Sequence, residues 1–312
     1  MSSALPSSVT VRVPAKINLE LVVGPLRPDG YHDLSTVFHA VSVFDEVTVT
    51  PAPAWSVQVS GPYADLVPVG DDNLVVRAGR LLAERCGAAE AGPALVHIAK
   101  EIPVAGGMAG GSADAAATLV ALDHLWGVGG RRDLWDECAA ELGSDVNFAL
   151  VGGTAIGSGR GEQIAPVLGR GRYHWVLVPS AQGLSTPTVF AELDRMRGAE
   201  ATTVAQPRPG ESMMQALRSG EVEALAAALR NDLQEPACVL QPRLREVVAA
   251  GQEFGALGAV VSGSGPTVAF LVDGPEGALD LAVALTASGV ADEVVRAVGP
   301  VHGAHVVTSA TP

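Results

Sequence analysis

Val9, Val11 and Val13 are apolar with polar residues between them, the stretch Ile17 to Val23 follows, and alternation resumes over Val41 to Val49 before Trp55 to Val59. A period of two sends every second side chain to one face, so residues 9–59 predict antiparallel strands joined by loops. The period then changes. Leu74, Val75, Ala78, Leu81 and Leu82 recur at helical spacing, with Asp71 and Asp72 ahead of them as candidate caps of a helix over 73–86. Ala94 to Ala99 predicts a further strand, and Ser112 to Trp126 and Leu134 to Leu142 predict helices, giving the order β, α, β, loop, α.

A second segment begins near Tyr173, where 174–178 reads as a strand, and Gly169 to Gly171 ahead of it reads as a linker. The Pro- and Thr-rich stretch 201–210 reads as a surface loop. Helices are predicted over 212–218, 221–229, 243–250 and 276–287, and strands over 258–261, 267–272 and near 305–308. No repeat or low-complexity segment interrupts this order. Strands and helices are segregated rather than strictly alternating, which predicts two α+β domains, residues 1–168 and 169–312. The length of 312 residues suits two packed domains or one large unit.

Composition narrows the class. With 48% apolar and 17% charged residues the chain is not a disordered one, and its apolar runs are too short to span a membrane. Met1 to Val9 carries Ser and Pro without a basic or long apolar stretch, so no secretory signal is expected and the cytoplasm is the expected compartment. Cys86, Cys138 and Cys238 are odd in number and widely spaced, which predicts buried thiols rather than disulfides or a zinc site. A formal charge of −14 opposes binding to nucleic acid, yet an acidic protein can hold phosphate where backbone N–H groups and one or two cations act locally. Monomer and homodimer both stay open.

The segment Pro103-Val-Ala-Gly-Gly-Met-Ala-Gly-Gly-Ser-Ala-Asp114 sets four glycines between a strand and a helix. Backbone that can approach a ligand closely, followed by the positive end of a helix, makes a phosphate cradle. The alternative is a plain turn with Ser112 as an ordinary N-cap. Neither the Gly-Lys-Ser/Thr of the P-loop nor the dinucleotide GxGxxG pattern is present. Lysine occurs only at 16 and 100 among 20 Lys and Arg residues, so positions that keep it stand out against a chain that otherwise prefers Arg. Lys16 lies in Pro14-Ala-Lys-Ile-Asn18 and Lys100 just ahead of the Gly-rich segment; a solvated surface lysine is the ordinary alternative for each. Leu142-Gly-Ser-Asp-Val-Asn147 offers a carboxylate that could equally be a cap, and Val261-Ser-Gly-Ser-Gly-Pro-Thr267 reads as a hairpin connection. His302 and His305 have metal-like spacing but no companion ligand, so a disordered tail is expected there.

In combination and in this order, these motifs and Asp29-Gly-Tyr-His32 resemble the GHMP kinases over about residues 11–272. The Gly-rich loop is general to that superfamily. Pro14-Ala-Lys-Ile-Asn18, Asp29-Gly-Tyr-His32 and Gly143-Ser-Asp-Val146 point to the member family that phosphorylates the 2-hydroxyl of a cytidine-diphosphate methylerythritol in non-mevalonate isoprenoid synthesis. The resemblance implies an N-terminal domain with a left-handed βαβ crossover, a C-terminal ferredoxin-like domain and an active site between them. It implies Asp145 as general base with Lys16 beside it, and ATP held by Pro103, Val104, Ala105, Gly106, Gly107, Met108, Ala109, Gly110, Gly111, Ser112 and Ala113. Ser112 would also meet Mg2+, and Lys100, Asn73 and Leu74 would complete the ATP site. Tyr31 and Phe190 would sandwich cytosine while His32 reads its edge, with Asn18 and Thr186 near the diphosphate or methylerythritol. Asn147 stands where proline is common, and Ala105 and Ala109 replace glycines of many members, which makes the loop backbone less permissive. A homoserine or mevalonate type of GHMP kinase, or a catalytically silent nucleotide-binding module, are the competing expectations. Asp29-Gly-Tyr-His32 argues against the first, and the presence of both Lys16 and Asp145 argues against the second.

Overall fold

The alternating pattern at the start becomes two long strands, β1 (Ser8–Leu26) and β2 (His32–Pro51), in a computed structural model that describes residues 6–198 and 204–310. They pair antiparallel from Val9↔Val49 to Leu26↔His32. Register shifts between Pro14/Ala15 and between Asn18/Glu20 bracket Lys16 and Asn18. Such bulges re-aim side chains without ending the strand, which is how a polar pair sits within an otherwise apolar run.

Next come β3 (Ser56–Ser60), α1 (Leu74–Cys86) and β4 (Ala94–Ala99), a crossover in which β3 and β4 pair in parallel. The N-cap of α1 is Asn73, whose side chain accepts from the Val75 N–H, rather than Asp71 or Asp72; Asp71 instead pairs with Arg80. Helix α2 (Gly110–Trp126) runs through the centre, with Leu119 and Leu122 fully buried at about 1.5–3 kcal/mol each. It starts at Gly110 with Ala109 in the cap position, so Ser112 is a residue of the first turn and not the N-cap. Helices α3 (Arg132–Leu142) and α4 (Val146–Val151) and the hairpin β5 (Thr154–Gly159) and β6 (Gln163–Pro166) complete this half, with β5 on the edge of β2.

The second half contains β7 (Tyr173–Val178), α5 (Thr186–Arg197), α6 (Glu211–Ser219), α7 (Val222–Ala228) and the short β8 (Arg230–Asn231). It continues with α8 (Gln234–Leu240), α9 (Arg243–Glu253), β9 (Gly258–Val261), β10 (Val268–Val272), α10 (Gly274–Ser288), β11 (Val295–Gly299) and β12 (His305–Ala310). The four strands β11-β7-β10-β9 form an antiparallel sheet in ferredoxin-like order. Part of the expected loop over 201–210 lies outside the described residues; 204–210 has no regular structure.

Both faces of the second sheet are buried. Along β7, Trp175 and Leu177 join the core of the first half, while Val176 and Val178 join the core under α5 and α10. The first sheet in turn takes strands from the second half: β8 pairs with β1 in parallel and β12 antiparallel, from Ser8↔Ala310 to Arg12↔His305. The tail is therefore a strand, not disordered, because the outer edge of β1 has backbone groups to satisfy and Val306 packs on the core. His302 bridges to Gly152 while the His305 ring bonds the Gly303 carbonyl, so the two histidines do not converge on a metal. Cys138 and Cys238 are buried as expected, whereas Cys86 is only partly so.

Candidate active site

A cleft of about 900 Å³ lies between the two sheets, lined from one side by β1, β2 and the Gly-rich loop and from the other by α5 and residues 263–265. Lys16 reaches it from the bulged part of β1. Its Nζ donates to Asn18 Oδ1 at 2.6 Å, Asn18 Nδ2 donates to Thr36 Oγ1 at 2.7 Å, and Thr36 donates to the Glu20 carbonyl. This chain of bonds fixes the ammonium and also spends both ends of the Asn18 amide on protein partners. Asp145 stands in the N-cap position of α4, but its side chain makes no capping hydrogen bond. Its carboxylate is 30% exposed and has one charged partner among the described residues, Lys16 Nζ at 3.9 Å. Burial lowers the Lys16 pKa, and the Asp145 charge offsets part of that. Lys16 is thus no surface lysine.

The Gly-rich loop connects β4 to α2. Ala105, Gly106, Gly107, Ala109, Gly111 and Ser112 line the cleft. Pro103, Met108 and Ala113 are buried, and Val104 and Gly110 do not line the cleft, so about half of the expected run lines it. The loop is pinned by the other half of the chain: Ser262 Oγ donates to the Gly107 carbonyl at 2.9 Å, and the Thr267 N–H donates to the Gly106 carbonyl at 3.2 Å. Gly107 has φ 75°, and a Cβ there would overlap the Ser262 carbonyl. The 261–267 segment is the expected hairpin connection between β9 and β10, and it is also the lid against which the loop is folded. Asn231 holds it by donating to the carbonyls of Val261 and Gly263. Asn147, the departure from proline, donates to the Glu162 carbonyl at 3.1 Å and so ties α4 to the β5–β6 turn.

Two expected ATP contacts lie elsewhere. Lys100 is 1% exposed, with Nζ 2.6 Å from both Asp45 and Asp114, and does not reach the cleft. Two buried carboxylates hold it beneath the loop. Asn73 is occupied as a cap and bonds the Pro68 carbonyl, while Leu74 does line the cleft.

At the far end, Tyr31 is 54% exposed and carries the Arg160 guanidinium 5.0 Å from its ring centroid. Phe190, on the buried side of α5, stacks on His32 with centroids 5.2 Å apart and an angle of 25°. The His32 Nε2 is bound at 2.9 Å to Asp194. Thr186 Oγ1 and Ser264 Oγ are 2.8 Å apart where α5 meets the lid segment. Asp194, Arg160 and Ser264 are absent from the sequence-derived set. Asp194 becomes visible only once α5 is known, because Phe190 and Asp194 are then i and i+4 on one face.

Residues 73–153 match the family model described as GHMP kinases N terminal domain, and residues 213–291 the one described as GHMP kinases C terminal. A relative from Mycolicibacterium smegmatis named 4-diphosphocytidyl-2-C-methyl-D-erythritol kinase is 55% identical over 301 residues, 96% of this chain and 92% of the relative. One of the same name from Streptomyces coelicolor is 52% identical over 96% of this chain and 99% of its own. The crystal structure of a 4-(cytidine 5'-diphospho)-2C-methyl-D-erythritol kinase superposes with a TM-score of 0.74 at 33% identity, covering 92% of this chain and 98% of that one. A homoserine kinase from Cytophaga hutchinsonii gives 0.76 at 17% identity over 98% and 99%, which shows the shared fold alone. The chain belongs to the GHMP kinases, in the family of these 4-diphosphocytidyl-2-C-methyl-D-erythritol kinases.

Proposed function

We propose that the protein transfers the γ-phosphoryl group of ATP to the 2-hydroxyl of 4-diphosphocytidyl-2-C-methyl-D-erythritol, giving the 2-phosphate and ADP in non-mevalonate isoprenoid synthesis. The observation that carries this is the Asp145 carboxylate, free of capping bonds and 3.9 Å from the Lys16 ammonium, in the cleft that the Gly-rich loop also lines. Asp145 takes the proton of the acceptor hydroxyl as its oxygen attacks the γ-phosphorus. Lys16 stands 3.9 Å from the carboxylate and faces the negative charge that builds on the phosphoryl oxygens. The first turn of α2 presents unpaired N–H groups to the ATP phosphates. Mg2+ fits at Ser112: its hydroxyl has no hydrogen bond among the described residues, and no group of three or more His, Cys, Asp and Glu there could hold a metal alone. Phosphate oxygens and water would supply the other ligands, as this ion prefers. Tyr31, Phe190 and His32 form the base end of the acceptor site, with Thr186 and Arg160 along the way.

No helix among the described residues is long and apolar enough to cross a membrane; the three free cysteines fit a reducing compartment, and the cytoplasm is the compartment proposed. The test is ATP consumption by the purified protein across homoserine, mevalonate, and methylerythritol with and without a diphosphocytidyl group. Turnover confined to the diphosphocytidyl ester is expected. Equal turnover of homoserine or mevalonate would sink the assignment.

A further inference from the structure

We propose that Asp194 is a positioning residue that sets which hydrogen-bonding face His32 turns to the acceptor base, and thereby selects an amino over a keto pyrimidine. The inference rests on the reading above that His32 meets the base. His32 opens β2 and is buried, yet it lines the cleft beside Phe190. Its Nε2 is 2.9 Å from Asp194 Oδ1. A carboxylate only accepts, so it fixes the proton on Nε2. In the neutral ring the other nitrogen, Nδ1, is then an acceptor.

That nitrogen has no hydrogen bond among the described residues, and it is not among the buried polar atoms left without a partner. His32 itself lines the cleft. His32 stacks on Phe190 at 25°, so a base that stacks on the same phenyl beside the imidazole would lie nearly coplanar with it. In that arrangement the imidazole meets the base at its edge. An acceptor at Nδ1 attracts the exocyclic N–H of cytosine and repels the keto oxygen that uracil has at the same place. The Asp194 carboxylate is a third exposed, and no other charged group among the described residues pairs with it. Arg195 and Arg197, its neighbours on α5, are bound to Glu192 and Asp232.

The experiment compares the full chain with Asp194→Asn and Asp194→Glu, using methylerythritol esters of cytidine and uridine diphosphate as acceptors. The 15N shifts of His32 are recorded in parallel on the same proteins. An amide at 194 can donate or accept, so it loosens the tautomer. Asp194→Asn is expected to keep kcat on the cytidine ester within about twofold, raise its KM, and narrow the preference for cytidine by roughly 10-fold, the worth of one hydrogen bond. Wild-type His32 should report a proton on Nε2 alone, Asp194→Asn a mixture, and Asp194→Glu the wild-type state with most of the preference restored. A wild-type ring protonated on Nδ1, or a preference unchanged in Asp194→Asn, overturns the proposal. If the wild-type enzyme accepts both esters equally, the base-reading role of His32 falls with it; if the preference is present but indifferent to residue 194, only the role of Asp194 falls.

Discussion

The chain has two lysines, each facing carboxylates and each next to the Gly-rich loop, and their surroundings are opposite. Lys100 is sealed from solvent between Asp45 and Asp114, both at 2.6 Å, and Asp45 also accepts from the N–H groups of Glu101 and Ile102. Burial acts to lower its pKa, but the charges of Asp114 and Asp45 and their hydrogen bonds outweigh it and hold the ammonium above the usual lysine range. Lys16 is buried as well, but its one carboxylate is longer-range, and its pKa lies below that range. One ammonium is saturated by the fold. The other is under-compensated beside a cleft, the state in which an added phosphate has most to offer it. Proximity to a motif does not separate the two; the number and distance of their acidic partners does.

The sharpest break in the comparison is kinetic. Asp145→Asn is expected to lower kcat by about 10²- to 10⁴-fold with little effect on folding, since Asp145 makes no capping bond. Near-normal turnover in single-turnover assays would remove Asp145 from the proton transfer. Lys100→Met should act the other way, costing roughly 3–5 kcal/mol because two buried carboxylates lose their counterion, while the folded fraction keeps its turnover. Denaturant melts of the variant would check this, and a wild-type midpoint would contradict it.

The same contrast shows what the sequence could carry. Val9, Val11 and Val13 announce a strand through their spacing, and the Gly-rich motif announces a strand-loop-helix. Neither pattern tells that Lys16 and Asn18 lie within one continuous strand, because the bulges that admit them follow from pairing with β2. The β5–β6 hairpin was illegible because Thr154–Gly159 contains glycines and its strand character comes from the edge of β2 that it covers. Helix α5 buries only Val189 and Leu193, too weak a stripe to read. Lys100 looked like a phosphate ligand because Asp45, its partner 55 positions earlier, is brought there only by the fold.

Adjacent glycines sharpen the comparison next. A Cβ on Gly110 would come 2.9 Å from Lys100 Nζ, whereas on Gly111 it would meet only Leu74 Cδ1 at 3.6 Å. Gly111→Val should therefore fold and raise KM for ATP roughly 10- to 30-fold, the range that phosphate contacts at a helix N-terminus are worth. Gly110→Val should lose stability instead. Unchanged ATP binding by folded Gly111→Val in calorimetry would reduce the loop to a turn.

Titration distinguishes the lysines more gently. In the proposed mechanism activity depends on the Lys16 ammonium, which is present below its pKa, so kcat should fall on the alkaline side at a pH below the ordinary lysine value. Lys100 has a raised folded pKa, so its share of stability is fully present below the unfolded value and disappears only as pH rises through the raised one. Melts and kcat profiles over the same alkaline series should separate, with activity failing first. Simultaneous loss would mean that the activity limb reports unfolding.

The smallest effect concerns the loop that runs between the two lysines. Ala105 and Ala109 have φ of 54° and 58° and are the only non-glycine residues with positive φ among those described. Both line the cleft, so the backbone strain lies on the side of Lys16 and not on that of Lys100. The left-handed region costs an alanine about 1–2 kcal/mol, and glycine gives back roughly 0.5–1 kcal/mol through the freedom of its unfolded chain. Ala105→Gly and Ala109→Gly should each raise stability by less than about 1 kcal/mol, a rise in Tm of about 1–3 °C for a protein of this size. A Tm at or below wild type would show that contacts of the two methyl groups outweigh the strain. A stabilised variant with weaker ATP binding would show that the strain holds the loop in the shape that phosphate requires, since glycine at the same positions permits others.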